Sequence, residues 1–490
     1  MKLLKDILYG ARIQEVVGST HVAIESIAFD SRAVRPFGLF VAVRGTATDG
    51  HDYIGAALDR GAVAVVAERL PEARREGVTY VIVRDSGRAL GPLAAAFYDH
   101  PSEQMRIVAI TGTNGKTTTA TLLHRLFRSL DRKAGLVGTV ENRIVDEVIP
   151  ATHTTPDAVQ LQALLRRMAD AGCRFVFMEA SSHSIHQGRL LGTRIAGAVF
   201  TNITHDHLDY HGDFNSYLQA KRGLFDLLGP AAFALTNRDD AHADDLVAGT
   251  RARVSDYALT SMADYRAKVL ENTLSGLHLH IDGHDLYSRL IGGFNAYNLL
   301  AVYAVARELG FEALDILTHL SLLTPPPGRF EQVPVPNGVT AVVDYAHTPD
   351  ALENVLRTVS EFRTGSNRIL TVVGCGGDRD RTKRPVMART AADLSDRVFL
   401  TSDNPRSEEP EAILAEMRAG LDPVQARKCI SNADRREAIR MAASVAEPGD
   451  IVVVAGKGHE TYQEIAGVRH PFDDRVEVRN AFADTVNPNV

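Results

Sequence analysis

The segment TGTNGKTT at residues 111–118 restricts the fold of this chain more than any other part of its sequence. It follows the apolar run RIVAI at residues 106–110 and precedes leucines and a phenylalanine at helical spacing between residues 122 and 130. A strand that enters a helix through a glycine loop presents backbone amides and the positive end of the helix dipole to an anion. The segment therefore predicts an α/β domain with a phosphate site.

Within this loop, Lys116 is placed to reach the outer phosphates of a nucleotide, and the Thr117 hydroxyl is placed to bind Mg²⁺. Only two residues separate Gly112 from Gly115, so the loop departs from the common G-x-x-x-x-G-K-[ST] pattern. A glycine turn without a ligand is the alternative. The strand before the loop and the helix after it favour the phosphate site.

Length and composition limit the remaining possibilities. The chain has 490 residues, enough for about three domains, and its formal net charge of −7 argues against nucleic-acid binding. Its cysteines, Cys173, Cys375 and Cys429, lack metal-site spacing, and no apolar run is long enough to span a membrane. The start of the chain has no cleavable signal pattern. We therefore expect a cytoplasmic, monomeric enzyme with no nucleic-acid or membrane partner.

The proline cluster TPPPGR at residues 324–329 separates two series of strands and helices. Three prolines followed by glycine interrupt regular structure and predict a domain boundary or hinge. Beyond the cluster, each of four apolar strands runs into a polar or glycine-rich loop: DYAHTPDAL, GCGGDRDRTKRP, TSDNPRSEEP and AGKGHE. Because ligands bind beyond the carboxyl ends of parallel strands, these loops predict one shared site.

A carboxylate and several histidines follow two strands of the earlier series. Glu179 comes directly after the apolar run at residues 175–178, and His207 lies in TNITHDHLDYHG, which follows the strand at residues 195–200. Side chains at neighbouring strand ends can meet at the phosphates and hold a divalent metal. A solvated polar loop is the alternative for each histidine, including His205 and His211.

Lys221 is unexpected at its position in the sequence. It falls on the apolar face of a helix that also includes Tyr217, Leu218, Leu224 and Phe225. A lysine there commonly extends its ammonium group to the rim of the face. The alternative is a buried lysine whose lowered pKa leaves a free amine, which adds CO₂ to form a carbamate. A carbamate is an anion and would make Lys221 a ligand for Mg²⁺.

Taken in order along the chain, these motifs resemble those of the Mur ligases, ATP-dependent amide-forming enzymes of peptidoglycan synthesis. The resemblance covers nearly the full chain and rests on FDSR, TGTNGKTTT, TTPDA, MEASSHS, TNITHDHLDYHGD, YLQAKR, GGFNAYN, PPPGRFE, DYAHTPDAL, GCGGDRDRTKRP, DNPR and AGKGHE. It implies three α/β domains. Residues 1–102 would bind the UDP-MurNAc dipeptide, residues 103–328 would form a central P-loop ATPase-like domain that binds ATP, and residues 329–490 would form a Rossmann-like domain that binds the amino acid.

The DNPR loop resembles the branch of this family that adds meso-2,6-diaminopimelate to UDP-MurNAc-L-Ala-D-Glu. The implied reaction activates the D-glutamate carboxylate as an acyl phosphate, which the amine of diaminopimelate then attacks. A related ligase that uses L-lysine or another amino acid is the main alternative. A P-loop ATPase or motor would leave the loops of the third domain without a purpose. Intact Lys116, Glu179 and Lys221 argue against a non-catalytic nucleotide-binding module.

The resemblance also implies roles for individual residues. The implied catalytic residues are Lys116, Glu179, His207 and Lys221, and the implied Mg²⁺ ligands are Thr117, Glu179, His207 and carbamylated Lys221. The implied contacts of ATP are Gly112, Thr113, Asn114, Gly115, Lys116, Thr117, Thr118, Asn295, Asn298, Arg329 and His347. The implied contacts of the UDP-MurNAc dipeptide are Phe29, Ser31, Thr46, Ala47, Thr48, Thr154, Thr155, Ser181, Gln187 and Arg189. The implied contacts of the amino acid are Arg379, Asp403, Asn404, Pro405, Arg406, Gly456 and Glu460.

The loop TSDNPRSEEP carries two expectations. In its first half, Arg406 is expected to bind the distal carboxylate of diaminopimelate bidentately, while Asp403 and Asn404 receive the ammonium group. In its second half, Ser407 suits a helix N-cap, and the glutamates after it suit a first helical turn.

Overall fold

Three large β-sheets of 5, 11 and 6 strands, each packed with helices, form the framework of the protein in a computed structural model. The structure describes residues 1–45, 48–151, 153–365 and 367–486. Strands and helices alternate along most of the chain, so the predicted α/β class is confirmed. Within the described residues, no helix combines the length and apolar character needed to cross a membrane.

The first sheet lies in residues 1–102 and has the strand order β2-β7-β6-β5-β4. Its inner strands pair in parallel, and β2 is an antiparallel edge strand. The elements of this part are β1 (Lys2–Leu3), α1 (Leu4–Ile7), β2 (Ile13–Val17), β3 (Ala23–Ile24), β4 (Ser26–Ala28), β5 (Gly38–Val41), α2 (Ile54–Asp59), β6 (Ala62–Ala67), β7 (Thr79–Val83) and α3 (Ser86–Phe97).

The central sheet has the order β11-β10-β9-β12-β8-β13-β14-β15-β16-β17-β18, and its middle strands are parallel. Its strands are β8 (Arg106–Thr111), β9 (Ala134–Val137), β10 (Glu141–Ile144), β11 (Glu147–Pro150), β12 (Phe175–Glu179), β13 (Gly197–Phe200), β14 (Phe233–Asn237), β15 (Arg253–Ala258), β16 (Tyr265–Thr273), β17 (Gly276–Ile281) and β18 (His284–Ser288). Its helices are α4 (Lys116–Ser129), α5 (Ala158–Asp170), α6 (Ser182–His186), α7 (Leu208–His211), α8 (Phe214–Asp226), α9 (Ala243–Val247), α10 (Gly293–Glu308) and α11 (Ala313–Ser321).

The third sheet has the order β19-β20-β24-β21-β22-β23, with β19 antiparallel and the other strands parallel. Its strands and an adjoining hairpin are β19 (Glu331–Val333), β20 (Thr340–Asp344), β21 (Ile369–Cys375), β22 (Arg397–Ser402), β23 (Cys429–Ser431), β24 (Ile451–Ala455), β25 (Tyr462–Ile465) and β26 (Val468–Pro471). Its helices are α12 (Pro349–Glu361), α13 (Lys383–Leu394), α14 (Pro410–Arg418), α15 (Pro423–Lys428), α16 (Arg435–Val445) and α17 (Asp474–Val486). The four loops predicted to share a site all leave the carboxyl ends of these parallel strands.

Strands β16 to β18 form an antiparallel extension of the central sheet that the sequence patterns did not distinguish from the alternating strands and helices around it. In β17, Leu277, Leu279 and Ile281 are buried, whereas His278 and His280 between them are more exposed. This period of two residues is typical of an antiparallel sheet with one face in the core. The buried face packs in the same core as α10 and α11.

The first sheet is held against the central part by a close backbone contact. Helix α3 packs against α5, and a Cβ atom added at Gly91 would lie 2.1 Å from the carbonyl oxygen of Leu191. No side chain fits in that space, so Gly91 permits the contact. The contact fixes the first part beside the loop that carries Gln187 and Arg189.

Arg435 and Asp474 form an ion pair in the third part, and neither side chain is exposed to solvent. The Nε and Nη2 atoms of Arg435 each donate to Asp474 over 2.7 Å, and Nη2 also donates to the carbonyl oxygen of Ala455 over 3.0 Å. Ala455 is the last residue of β24. The pair therefore supports the strand end from which the AGKGHE loop departs.

We predict that Arg435→Met lowers the free energy of unfolding by ~3–5 kcal/mol, because it leaves the Asp474 carboxylate buried without its partner. Urea unfolding followed by circular dichroism measures this change. Arg440→Met is the matched control, since Arg440 lies on the same helix but pairs with Glu437 at an exposed position. That variant should change stability by ~0–1 kcal/mol. Similar effects of the two substitutions would contradict the prediction.

Candidate functional site

The phosphate loop lies between β8 and α4, at the carboxyl edge of the central sheet. Gly112 and Gly115 have φ angles of 152° and 86°. A Cβ atom would lie 1.9 Å from Oγ1 of Thr201 at the first position and 2.5 Å from Oδ1 of Asn298 at the second. Both glycines are therefore required by the backbone conformation and by the neighbouring side chains.

Asn295 and Asn298, which the resemblance implies as contacts of ATP, lie on α10 behind this loop and are almost fully buried. Nδ2 of Asn298 donates to Oδ1 of Asn295 over 2.9 Å, and Oδ1 of Asn298 accepts from the Thr119 hydroxyl over 3.4 Å. The structure thus brings Asn298 against Gly115 of the phosphate loop, and Asn295 holds the side chain of Asn298.

Lys116 is the cation at the centre of the loop. Its Nζ donates to the carbonyl oxygens of Gly112 over 2.9 Å and Thr113 over 2.8 Å. Removal from water lowers the pKa of Lys116, and the negative charges of Glu179 and Asp206 oppose that shift. These two acids offset part of the cost of burying the ammonium group.

Glu179 is 1% exposed and is held on both of its carboxylate oxygens. Oε2 accepts from the hydroxyl groups of Thr117 over 2.8 Å and Thr139 over 3.0 Å, and Oε1 accepts from the backbone N–H of Thr139 over 2.7 Å. The Thr155 hydroxyl donates to the backbone carbonyl of Glu179 over 2.7 Å. The carboxylate is therefore fixed at the start of the phosphate-binding helix.

His207 has a left-handed backbone conformation with φ of 56°, and its N–H donates to Oδ1 of Asp206 over 2.9 Å. Loss of water around the ring and the nearby Lys116 lower the pKa of His207 to about 3, although Asp206 opposes this. The imidazole is neutral at pH 7, which is the form that binds a metal. His211 hydrogen-bonds through Nε2 to the Ser182 hydroxyl over 3.0 Å, so this histidine is part of the structure rather than merely solvated.

Lys221 is only 1% exposed and does not extend to solvent. The interpretation in which its ammonium group reaches the rim of the apolar face is therefore wrong. Its Nζ donates to the carbonyl oxygen of Gly112 over 2.7 Å and lies 4.5 Å from the centre of the Tyr217 ring. Burial and the positive charge of Lys116 hold the pKa of Lys221 well below its ordinary value. The side chain therefore favours the neutral amine.

The third part of the chain contacts the phosphate loop directly. Nη2 of Arg329 donates to the Thr117 hydroxyl over 3.0 Å. Oδ2 of Asp350, near the start of α12, accepts from Nδ2 of Asn114 over 2.8 Å and from the Thr204 hydroxyl over 3.1 Å. The carboxyl edges of the central and third sheets consequently face each other across this loop.

Five of the residues predicted to contact the UDP-MurNAc dipeptide lie together beside Glu179: Thr154, Thr155, Ser181, Gln187 and Arg189. Nη1 of Arg189 donates to the carbonyl oxygen of Thr155 over 2.7 Å, and its Nε donates to Oε1 of Gln187 over 2.9 Å. The Thr154 hydroxyl donates to the Thr139 hydroxyl over 3.1 Å, because the single hydrogen of Thr139 is directed at Glu179. Thr139 thus connects this group to the carboxylate of Glu179.

The other predicted contacts of the dipeptide substrate belong to the first part of the chain. Phe29 is 36% exposed, whereas Ser31 is buried in a short 3₁₀ helix. The carbonyl oxygen of Thr48 accepts from the N–H of Gly45 over 2.9 Å. Thr46 and Ala47 lie outside the described residues.

Arg406, in the DNPR loop, has a left-handed backbone with φ of 54°. Its N–H donates to the carbonyl oxygen of Glu464 over 3.0 Å, and its Nη1 donates to that of Gly377 over 2.7 Å. A Cβ atom added at Gly376 would lie 2.9 Å from Nη1 of Arg406 and 3.8 Å from Cγ of Arg379. Both predicted arginines therefore lie close to Gly376. Pro405, between Asn404 and Arg406, is buried.

The other residues predicted to contact the amino acid, Asp403, Asn404, Gly456 and Glu460, lie close together. Asp403 and Asn404 are 8% and 4% exposed, and a Cβ atom added at Gly456 would lie 2.9 Å from Oδ2 of Asp403. Nδ2 of Asn404 donates to Oε2 of Glu460 over 2.7 Å, and its Oδ1 accepts from the N–H of Glu464 over 2.9 Å. Because the Asn404 oxygen is already bonded within the protein, carboxylates are the better acceptors for a ligand ammonium group here.

The second half of TSDNPRSEEP does not form the predicted helix start, in which Ser407 would be the N-cap and the glutamates after it would lie in the first turn. The residue before α14 is Glu409, and no side chain caps this helix. The Ser407 hydroxyl instead donates to Oδ1 of Asp378 over 2.7 Å, and Oε1 of Glu408 pairs with the buried Arg384 at 2.8 Å. These polar groups join two loops of the third sheet, because tertiary partners outcompete a local cap.

Three residues of the site were not singled out from the sequence. Thr139 contacts Glu179, and Asp350 contacts the phosphate loop, as described above. Asp344 ends β20, accepts from the N–H of Phe330 over 2.6 Å, and has a pKa raised to about 6 by burial. A carboxylate directly after a buried strand was a usable signal for Asp344. Thr139 and Asp350 had no comparable signal.

His347 lies in the same loop as Asp344 and is buried, which lowers its pKa to about 4. Its Nδ1 hydrogen-bonds to the carbonyl oxygen of Tyr345 over 2.9 Å, and its own carbonyl oxygen accepts from Nζ of Lys383 over 2.9 Å. The loop therefore holds a neutral histidine against the phosphate side of the third sheet.

Three family descriptions match this chain in succession. Residues 23–98 match "Mur ligase family, catalytic domain", residues 110–306 match "Mur ligase middle domain", and residues 328–458 match "Mur ligase, glutamate ligase domain". Together they cover most of the chain.

Two bacterial relatives are similar over almost their full length, and each is named UDP-N-acetylmuramoyl-L-alanyl-D-glutamate--2,6-diaminopimelate ligase. The relative from Cytophaga hutchinsonii is 52% identical over 477 residues, which is 97% of this chain and 98% of the relative. The relative from Phocaeicola vulgatus is 50% identical over 484 residues, which is 99% of this chain and 100% of the relative.

Two solved structures are similar to this chain over nearly its whole length. A structure of a UDP-N-acetylmuramoyl-L-alanyl-D-glutamate--2,6-diaminopimelate ligase is 36% identical, with a TM-score of 0.71 and coverage of 99% of both chains. A MurF ligase from Thermotoga maritima in complex with ADP is 19% identical, with a TM-score of 0.63 and coverage of 95% of this chain and 98% of the other. The second similarity shows a shared fold.

Proposed function

This chain belongs to the Mur ligase family, and we propose that it acts as its named relatives do. It is an ATP-dependent ligase of peptidoglycan synthesis that joins meso-2,6-diaminopimelate to UDP-MurNAc-L-Ala-D-Glu. The observation that carries the choice of amino acid is that the DNPR loop combines one arginine, Arg406, with the carboxylate of Asp403 and, through a hydrogen bond of Asn404, with that of Glu460. We assign UDP-MurNAc-dipeptide binding to residues 1–102, ATP binding to residues 103–328 and amino-acid binding to residues 329–490.

The phosphate loop fits ATP. Its amides and the start of α4 face the phosphates, and Lys116 reaches their outer oxygens. Asn295 and Asn298 would lie by the adenine, and Arg329 and His347 approach from the third part of the chain. This arrangement neutralises charge when one anion, the D-glutamate carboxylate, attacks another, the γ-phosphate.

The predicted metal donors fit Mg²⁺ only as an incomplete set. Within the described residues, no group of three or more histidine, cysteine or acidic side chains has metal-binding geometry. Thr117, Glu179 and His207 supply a hydroxyl, a carboxylate and an imidazole, but Mg²⁺ prefers about six oxygen ligands. Phosphate, water and a further anionic oxygen donor would complete the set. When bound, Mg²⁺ would withdraw charge from the phosphate oxygens.

A carbamate on Lys221 would supply that further donor. The neutral amine of Lys221 forms a bond to the carbon of CO₂ and releases one proton, which leaves an anionic carbamate. The buried position and lowered pKa of Lys221 favour the amine needed for this step. The same burial disfavours an uncompensated anion, so the carbamate requires a cation beside it.

The reaction then needs the third part to bring the amino acid to the acyl phosphate. Arg329 and Asp350 hold this part against the phosphate loop through Thr117 and Asn114. Closure at residues 324–329 would exclude water, which otherwise hydrolyses an acyl phosphate. The amine of diaminopimelate attacks the acyl carbon, the amide bond forms, and inorganic phosphate leaves.

At the far end of diaminopimelate, one carbon carries both a carboxylate and an ammonium group. Arg406 would bind the carboxylate, while Asp403 and Glu460 accept the ammonium group. Lysine has the amine but no distal carboxylate, so Arg406 would remain without its partner. This difference favours diaminopimelate over L-lysine or another amino acid.

We predict that purified protein with ATP, Mg²⁺ and UDP-MurNAc-L-Ala-D-Glu releases ADP when meso-diaminopimelate is added. A coupled assay for ADP measures this release, and mass spectrometry of the tripeptide product checks the ligation. L-lysine at equal concentration is the control. A response to lysine without one to diaminopimelate would support the alternative ligase. ADP release without any amino acid would instead indicate a simple ATPase.

Lys221→Ala should lose most of its activity, because it removes the proposed anionic donor at the metal. Addition of a short carboxylic acid such as acetate should restore part of the rate, measured by the same ADP assay. Arg222→Ala is the matched control, since Arg222 is the next residue on α8 and donates to the backbone of Ala248. Full activity of Lys221→Ala without added acid would refute the carbamate.

Arg406→Ala should raise the KM for diaminopimelate by roughly 30-fold or more, because it removes the proposed charged hydrogen bonds to the distal carboxylate of the ligand. The KM for ATP should change little, because Arg406 bonds to Gly377 and Glu464 in the third part of the chain rather than to the phosphate loop. Arg418→Ala, on the exposed side of α14, is the control. If the two KM values rise equally, the DNPR loop has a structural role only.

A further inference from the structure

Lys457, in the AGKGHE loop, has no exposed side-chain surface, although it carries a charged group. It follows Gly456 at the carboxyl end of β24. None of the roles derived above uses it. A buried ammonium group is costly unless it is paired and hydrogen-bonded, so its partners indicate what it does.

The partners of Lys457 are the residues proposed to recognise the amino acid. Its Nζ donates to Oε2 of Glu460 over 2.9 Å and to Oδ1 of Asn404 over 3.1 Å, and it lies 3.8 Å from Oδ1 of Asp403. Glu460 and Asp403 keep 17% and 11% of their side-chain surface exposed. The lysine therefore lies behind two carboxylates that can still be reached from the site.

The same contacts fix the geometry of the carboxylates. Oε2 of Glu460 also accepts from Nδ2 of Asn404 over 2.7 Å, so Lys457, Asn404 and Glu460 form a closed triangle of hydrogen bonds. Nε2 of Gln463 holds the carbonyl oxygen of Asp403 over 2.7 Å. Loss of Lys457 would remove one hydrogen bond from Glu460 and one from the side-chain oxygen of Asn404, and would leave Asn404 and the N–H of Glu464 to hold them.

The charges of this group match a zwitterion. Asp403 and Glu460 contribute two negative charges and Lys457 one positive charge, which leaves one net negative charge for one ammonium group. Arg406 contributes one positive charge for one carboxylate. Arg379 is exposed, so water screens its charge. Without Lys457, two unbalanced carboxylates would attract any cationic side chain, with or without a carboxylate.

We infer that Lys457 is a positioning residue that sets the charge of the amino-acid site, so that the site selects an end group carrying both an ammonium and a carboxylate over one carrying an ammonium alone. This inference rests on the proposed function, because it assumes that the DNPR loop binds the distal end of the amino acid.

The test compares kcat/KM for meso-diaminopimelate and for L-lysine at saturating ATP and UDP-MurNAc-L-Ala-D-Glu. Lys457→Met should lower the ratio of the diaminopimelate value to the lysine value by about tenfold or more, the factor expected for a loss of ~1.4 kcal/mol of discrimination. Lys457→Arg should recover part of that ratio, because it restores the positive charge. The KM for ATP should remain within about twofold.

Lys428→Met is the matched control, because Lys428 lies in the same part of the chain and donates to the backbone carbonyls of Ala392 and Ser395. It should leave the ratio unchanged. An equal fall of both kcat/KM values in Lys457→Met would mean that Lys457 only maintains the fold, and would overturn the inference.

If Lys457→Met does not fold, Glu460→Gln provides the decisive measurement. It removes a negative charge from the same group, so lysine, which depends on the ammonium contact alone, should lose more kcat/KM than diaminopimelate. An unchanged or lower ratio would overturn the inference. A wild-type protein that ignores diaminopimelate would contradict the proposed function itself, and the inference would fail with it.

Discussion

The rest of the site depends on two hydrogen bonds made by the hydroxyl group of Thr117. It donates to Glu179 and accepts from Arg329, so a single side chain joins the phosphate loop, the carboxylate at the end of β12 and the start of the third part. The proposed reaction needs these groups around the phosphates of one ATP molecule. Its rate depends strongly on holding the substrates and the catalytic groups in the right relative positions. The two sheets therefore have to meet with their carboxyl edges facing each other.

Two buried lysines show how the surroundings decide the chemistry of one residue type. Lys221 is buried near the positive charge of Lys116, and both effects lower its pKa and favour a neutral amine. Lys457 has Glu460 and Asp403 beside it, which suits a cation. We propose that the first becomes an anion by reaction with CO₂, whereas the second stays positive and balances two carboxylates. Lys221 and Lys457 are thus both buried, but their proposed charges are opposite.

Much of the framework could be predicted because apolar strands and the loops that follow them are local patterns. The strand before the phosphate loop, the helix bearing Lys221 and the strands leading to DYAHTPDAL and DNPR were all located in this way. Ser407 was misread as a cap because its true partner, Asp378, lies on another loop. Thr139 was missed because a lone threonine has no pattern, and its contact with Glu179 exists only once β9 and β12 are paired.

The sequence by itself determined the α/β class, the phosphate loop and the residue types available for catalysis, because these follow from short-range periodicity and from the chemistry of each side chain. Only the tertiary structure decided that Lys221 is buried rather than at a rim, and that Arg329 and Asp350 reach the phosphate loop. It also decided that Lys457 stands behind the DNPR loop. Burial and charge pairing depend on segments distant in the chain, and a local pattern does not encode which of them meet.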